Sequence, residues 1–406
     1  MSSTIAPRPP APAAPLLALL IPALGISQVL NWGTLYYSLA VLAAPIQTAL
    51  GFGPLITFGS FTLGMLLSGL VAPTFGRWID HRGGRLIMAF GSLLAALSFV
   101  LLALASGPIT FLLAWLVAGI AMAASLYEAA FATLHQLFPV HYRRAVTMLT
   151  LIGGFASTLF WPLTLFLVEQ SDWRSTALIF AGLHLLVGLP IHALLLPKRE
   201  PVSSSPVVKA NAVPVTSQRA YRWLLASFVA GTFVFAVFSS FMMVLLQSRG
   251  FTATDAVAIA ALIGPMQVLG RTVEWSFGRQ LSAMNIGKLA AAGLVLALAL
   301  LLLAPGALAF GIGFALLYGS AAGVMTIVRG TVPLELFGQA QAGTLLGQMA
   351  RPNFIAKALA PGVFALLLQW QMSPGNGLVM LLCLAAISLF CFLQASKPFA
   401  TSPASS

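Results

Sequence analysis

The chain has 406 residues, of which 59% are hydrophobic and 7% charged, with a formal net charge of +12. A water-soluble domain carries about 25% charged residues, so this composition excludes a soluble enzyme or binding module and places the chain in lipid. Nucleic acid is excluded as a partner by the position of the positive charge, which falls in short loops between apolar segments and not along one solvated face.

The lead, residues 1–15, is stiffened by Pro7, Pro9, Pro10, Pro12 and Pro15 and lacks the pattern of a cleavable signal. A helix needs about 20 apolar residues to cross the hydrocarbon, and only helices and closed barrels satisfy their backbone there. The apolar segments that follow are too long for barrel strands. They predict an all-α integral membrane fold of twelve helices. Those of the first half are α1 16–45, α2 54–75, α3 86–106, α4 109–136, α5 145–168 and α6 175–196. Those of the second are α7 222–246, α8 255–275, α9 289–304, α10 306–335, α11 344–368 and α12 376–395.

Between α6 and α7 the stretch PKREPVSSSPVVKANAVPVTSQRAYR is rich in Pro, Ser and charge and reads as a solvated linker. The expected division is a tail 1–15, an N-terminal six-helix bundle 16–196, a linker 197–221, a C-terminal six-helix bundle 222–395 and a tail 396–406. Cys383 and Cys391 both lie in α12, where packing thiols are expected and neither a disulfide framework nor a metal site. With the N-terminus inside, the inner loops and tails hold fourteen Lys and Arg residues and the outer loops only Arg174 and Arg249. The positive-inside rule therefore places both termini in the cytoplasm.

The halves repeat one another. Gly-Phe at 51–52 and 250–251, Leu-Phe at 137–138 and 336–337, Phe155 and Phe354, and Pro162 and Pro361 all share an offset of 199. Gly76, Arg77, Asp80, Gly84 and Arg85 share their spacing with Gly270, Arg271, Glu274, Gly278 and Arg279 at an offset of 194. Two parallel six-helix copies are a recurrent transporter plan.

The α2–α3 turn, GRWIDHRGGR at 76–85, concentrates charge between two long uncharged runs. Charge alone makes it a topology anchor. Asp80 adds an acid at a helix end, able to pair with a basic group or a nearby helix N-terminus, and Gly83 and Gly84 allow a tight reversal. Such a turn would latch the halves in one state and release them in another. The stretch resembles the signature loop of the major facilitator superfamily, Gly-x-x-x-Asp-(Arg/Lys)-x-Gly-(Arg/Lys)-(Arg/Lys). Gly76, Asp80, Gly83 and Arg85 match it, and His81 and Gly84 depart from it. Arg77, Glu274 and Arg279 complete the expected gate.

The resemblance implies alternating access, with a site between the halves lined chiefly by α1, α4, α7 and α10. Read on their own, Ser27, Asn31, Thr34 and Ser38 fall at spacings that align them on one face of α1, flanked by Trp32, Tyr36 and Tyr37. That stripe faces the pathway or hydrogen-bonds to a neighbouring helix. In α7, Met243 and Gln247 offer a softer surface. Glu128 lies nine residues before Leu137, about 14 Å from the inner end, and Arg329 seven before Leu336, about 10 Å. Arg351 and Lys357 add charge in α11. None of these four is repeated in the other half, so they are not shared scaffold, and charge inside a membrane marks a transport role by default or else a buried ion pair. His184 and His192 in α6 are expected to be packing groups, and Trp161-Pro162 to kink α5.

The chain has no phosphate-binding loop, and no cofactor is expected. YEAAFATL, GGFASTLFWPLT, GPMQVLGR and YGSAAGVMTIVRGTVPLELFG resemble a bacterial group with copper-importing and flavin-importing members. That resemblance implies a bacterial cytoplasmic membrane. Met242, Met243 and Met266 would suit Cu(I), but α8 has no histidine, and methionine also fills apolar gaps. The expected function is secondary transport of a small anionic or amphipathic organic solute, with Arg329 as its counter-charge and protons as the coupling ion Glu128 would carry. The alternatives are a metal-ion importer and a non-transporting sensor on the same fold. A monomer is expected.

Overall fold

The computed structural model describes residues 14–198, 215–303, 306–338 and 340–397. Among them there are helices and turns and no strand. Twelve helices are long and apolar enough to cross a membrane. In the first half these are α1 Leu19–Leu50, α2 Pro54–Arg82, α3 Gly84–Ala103, α4 Pro108–Leu137, α5 Tyr142–Gln170 and α6 Trp173–Leu195. In the second they are α7 Gln218–Gln247, α8 Ala253–Phe277, α9 Ala283–Leu303, α10 Leu308–Phe337, α11 Ala342–Gln369 and α12 Pro374–Ala395.

Each predicted span coincides with one of these helices, and the differences are at the ends. The helical run of α7 already begins at Val215, so 215–221, expected in the linker, winds as its first turns. Residues 199–214 of the linker, 1–13 of the first tail and 398–406 of the last lie outside the described residues.

The helix ends follow from local chemistry. Pro54, Pro108 and Pro374 stand in first turns, where the missing N–H costs nothing. Asp172 accepts the Ser175 N–H at 2.6 Å and caps α6. Thr252 and Ser373 cap α8 and α12 in the same way. Gly83 reverses the chain between α2 and α3 at φ 81°, a conformation that favours glycine.

One apolar cluster lies wholly in the second half, around Phe238, Phe314 and Phe364. The other crosses the seam between halves, joining Phe75 and Ile79 of α2 to Leu346 and Phe354 of α11. That continuity is confined to the side bearing the basic loops, here the basic face. A Cβ on Gly76 would overlap the Gly343 carbonyl, and one on Gly347 would sit 2.7 Å from the Ala72 carbonyl oxygen. Farther along α2, a Cβ on Gly69 would meet Arg351 O at 3.0 Å. On the same helix face beyond Gly69, Phe58 is 48% exposed and Leu55 86%. The halves therefore pack backbone to backbone on the basic face.

Candidate functional site

The site begins with a break in α4. The helix runs Pro108–Ser125 and resumes at Tyr127–Leu137, with Leu126 extended at φ −77°, ψ −170° between the two pieces. The Ser125 carbonyl accepts hydrogen bonds from Gln28 Nε2 at 2.8 Å and Asn31 Nδ2 at 2.9 Å. The amides thus stand in for a lost helical donor, which makes a broken helix tolerable in a membrane. Glu128 lies in the first turn of the second piece, at the end where helical N–H groups are free.

The α1 backbone is irregular at the same level. Gly33–Tyr37 winds as a π-helix, a form that recurs at functional sites. Trp32, Tyr36 and Tyr37 gather there with Tyr127. The Trp32 ring lies 5.4 Å from that of Tyr36 and 5.2 Å from that of Tyr127, and Tyr36 lies 5.1 Å from Tyr37. Lys357 reaches across from α11 with its Nζ 3.7 Å from the Tyr36 ring centroid and 4.5 Å from that of Trp32. Cation–π attraction strengthens where water is excluded.

Glu128 lies within electrostatic reach of Lys357 and Arg329, yet it forms no ion pair. Among the described residues, the one within 4.0 Å is Arg143–Glu274. Glu128 Oε2, Arg329 Nε and Trp32 Nε1 are buried without hydrogen-bond partners. Glu128, Arg329, Lys357 and Tyr36, all expected here from sequence, are brought together.

The remaining expectations are corrected. Ser27, Asn31, Thr34 and Ser38 are fully buried, but the stripe bonds within the first half and does not line the seam. Thr34 Oγ1 lies 2.8 Å from His184 Nε2, and His192 bonds Ser27 and Ser92 at 3.0 and 2.8 Å. A polar stripe in lipid needs partners, and α4 and α6 supply them. The histidines of α6 are packing groups. Met243 is partly buried against the second-half core. Gln247 is the exposed last residue of α7, at the end away from the basic face. Arg351 is exposed on a stripe of α11 with Gln348, Leu359 and Leu366, where its long stem can carry the charge toward the interface. The irregularity in α5 falls at Gly154–Phe155 and not at Pro162.

Arg271 is the residue whose role sequence reasoning missed. The repeated motif paired it with Arg77, which bonds Thr74 at 3.3 Å on the exposed surface of α2. In α8 the same position is 3% exposed. A charge four residues inside the end of a predicted span was the available signal.

Asp80 and Glu274, at matched positions of the repeat, each bond to the other half. Asp80 accepts from Gly343 N at 2.8 Å, Thr344 N at 2.6 Å and Thr344 Oγ1 at 2.6 Å, capping α11 from the other half. Its equivalent Glu274 reaches back to α5, accepting from Arg143 Nε at 2.9 Å and Thr147 Oγ1 at 2.9 Å. Arg143 also donates to the carbonyls of Gly278 and Leu281, and the Tyr142 hydroxyl donates to the Gly330 carbonyl at 2.8 Å. Arg85 bonds the Leu196 carbonyl within its own half. The Arg279 side chain lies outside the described residues. Between Glu128 and this gate, the space lined by Gly76, Ile79, Gly343, Gly347 and Phe354 is about 10 Å³, the threshold for one water. The route from Glu128 to the basic face is shut.

Known proteins share this fold. The human organic anion transporter MFSD10 (TETRAN) is 20% identical with a TM-score of 0.63, over 93% of this chain and 97% of that one. FucP in the outward conformation is 13% identical with a TM-score of 0.74, over 94% and 100%. The E. coli fucose:proton symporter FucP, in a second structure, is 15% identical with a TM-score of 0.70, over 94% and 100%. At these identities the likeness is one of fold. The uncharacterized 38 kDa protein in 23S RNA operon of Thermoproteus tenax is 30% identical over 167 residues, 41% of this chain and 44% of that protein, so the chain spans less than half of this curated relative. A family model described as Major Facilitator Superfamily matches residues 24–361. With twelve apolar helices and a family match over most of its length, the chain belongs to the Major Facilitator Superfamily of membrane transporters.

Proposed function

We propose that the protein is a secondary transporter that carries a small organic anion by alternating access, with Arg329 as the counter-charge and Glu128 as the coupling acid. One observation carries this reading. Glu128 Oε2, Arg329 Nε and Trp32 Nε1 are buried and without partners, and Glu128 lies within electrostatic reach of Arg329 and Lys357. Such groups are costly in a membrane, and an anionic ligand that accepts from Arg329 removes part of that cost. Lys357 adds positive charge beside the faces of Trp32 and Tyr36. The wall suits a planar or apolar body, as in an aromatic carboxylate or a flavin-like molecule. Fold likeness to an organic anion transporter and a proton symporter supports the class and the coupling.

By the positive-inside rule the basic face is cytoplasmic. A gate closed on that face supports an outward-facing state, and we read the protein as a monomer of a bacterial cytoplasmic membrane that works without a cofactor. A copper importer is the weaker reading, because Met242 and Met243 pack on the second-half core.

The test is flux in reconstituted vesicles across a panel matched in size and differing in charge, for wild type and Arg329→Gln. Anions are expected to be carried best, and Arg329→Gln to lose them selectively. Preference for neutral or cationic compounds overturns the reading, as does full anion affinity in the variant. Binding without flux makes the chain a sensor.

A further inference from the structure

We propose that the substrate is a dianion, and that Arg271 forms a second anion-binding point on α8, apart from Arg329. This rests on the reading that the central site carries an organic anion.

Arg271 is 3% exposed. Its Nε donates to the Gly323 carbonyl at 3.2 Å, and its Nη1 has no hydrogen-bond partner. Nη1 projects across the seam between the halves, against Gly154 of α5, where a Cβ would overlap it. The neighbouring Gly153 is overlain by the Tyr127 hydroxyl, 2.5 Å from where its Cβ would be. Two adjacent glycines therefore leave room for a guanidinium and a phenol side by side. Both groups donate hydrogen bonds, and Arg271 lies within electrostatic reach of Tyr127. A buried guanidinium N–H that faces a hydroxyl and no acid is a place for an oxyanion.

The point is distinct from Arg329. Gly270 packs on Ser320 and Arg271 bonds Gly323, so Arg271 stands level with residues 320–323 of α10. Arg329 is six residues, about 9 Å, farther along α10. Tyr127 lies between, within reach of Arg271 and next in sequence to Glu128. Arg271, Arg329 and Lys357 against Glu128 leave two positive charges uncompensated at the seam. One carboxylate at Arg329 would balance one of them, and a second at Arg271 the other.

The experiment measures binding of straight-chain monocarboxylates and α,ω-dicarboxylates of matched length to the purified full chain. The proteins are wild type, Arg271→Gln, Arg271→Lys and Arg329→Gln, with thermal unfolding as the folding control. Wild type is expected to favour dianions of one preferred length by about ten- to a hundredfold. Arg271→Gln should lose far more dianion than monoanion affinity, Arg271→Lys should recover part of the preference, and Arg329→Gln should weaken both classes. Equal binding of the two classes by wild type overturns the inference while leaving the anion reading intact. So does an equal loss of both classes in Arg271→Gln, which would mark a structural role. If wild type binds neither class but binds neutral solutes, the anion reading itself fails and the dianion goes with it.

Discussion

Asp80→Asn should open the gate without unfolding the protein. In the closed state both Asp80 oxygens accept, from two backbone N–H groups at the start of α11 and one hydroxyl, at 2.6 to 2.8 Å. Hydrogen bonds to a charged acceptor contribute about 1.5–3 kcal/mol each, and the helix N-terminus favours negative charge by a further 0.3–1 kcal/mol or so. Asparagine keeps one oxygen, loses the charge and turns an NH₂ toward two N–H donors. A loss of about 2–3 kcal/mol from the closed state follows, and since these bonds join the two halves they are made only when the gate is shut. That is a shift of roughly 30- to 150-fold toward a state open on the basic face. The assay is labelling of single cysteines introduced at Ala72 and Ala123, which line the closed space behind the gate. Both should label faster in Asp80→Asn, with expression and thermal unfolding of the detergent-purified protein close to wild type. Unchanged labelling together with unchanged transport would refute the reasoning and reduce 76–85 to a topology signal.

Glu128→Gln should abolish accumulation driven by a pH gradient while leaving counterflow exchange, and unaltered proton-driven uptake would remove Glu128 from coupling. Gly76→Ala should disfavour the closed gate as Asp80→Asn does, because the new Cβ overlaps the Gly343 carbonyl; labelling at the same two positions reads it. At the opposite end, the Ser175 N–H holds the Asp172 carboxyl below the usual carboxylate range. Its cap on α6 therefore stabilises the fold above the ordinary carboxylate pKa and is lost as pH falls through the lowered one. Asp172→Ala should lower the unfolding temperature at neutral pH and lose that difference in acid, which a pH series of thermal melts checks.

The fold was legible because lipid enforces a simple code: length and apolarity set the twelve helices, and the shared offsets of 199 and 194 set the two halves. The gate was legible for the same reason, since Asp80 and Glu274 occupy matched positions and each reaches the other half. The site was legible only in its charges. Glu128, Arg329 and Lys357 announce themselves by being expensive where they are, whereas the α1 stripe had two uses that spacing cannot separate. Asn31 and Thr34 went to the interior because α4 breaks at Leu126 and α6 brings His184 to the same level, and neither event has a sequence signature: residues 120–131 contain no Gly or Pro. Arg271 was hidden by the very repeat that identified the gate.

The two halves contribute unlike things to the centre. The first supplies shape: a broken α4, a π-turn in α1, an aromatic wall and one acid. The second supplies positive charge from three separate helices, Arg271 on α8, Arg329 on α10 and Lys357 on α11. Under the proposed function this division explains how binding can move the halves. Cations held by one half repel one another and have no ion pair of their own. An anion placed among them removes that repulsion and leaves a neutral, apolar face, which can then close on the aromatic wall opposite. Tyr127 and Lys357 already bridge toward the partner half, so closure on the open side extends contacts that exist. Each half alone offers the substrate too little, and the transported state is the one in which both are used.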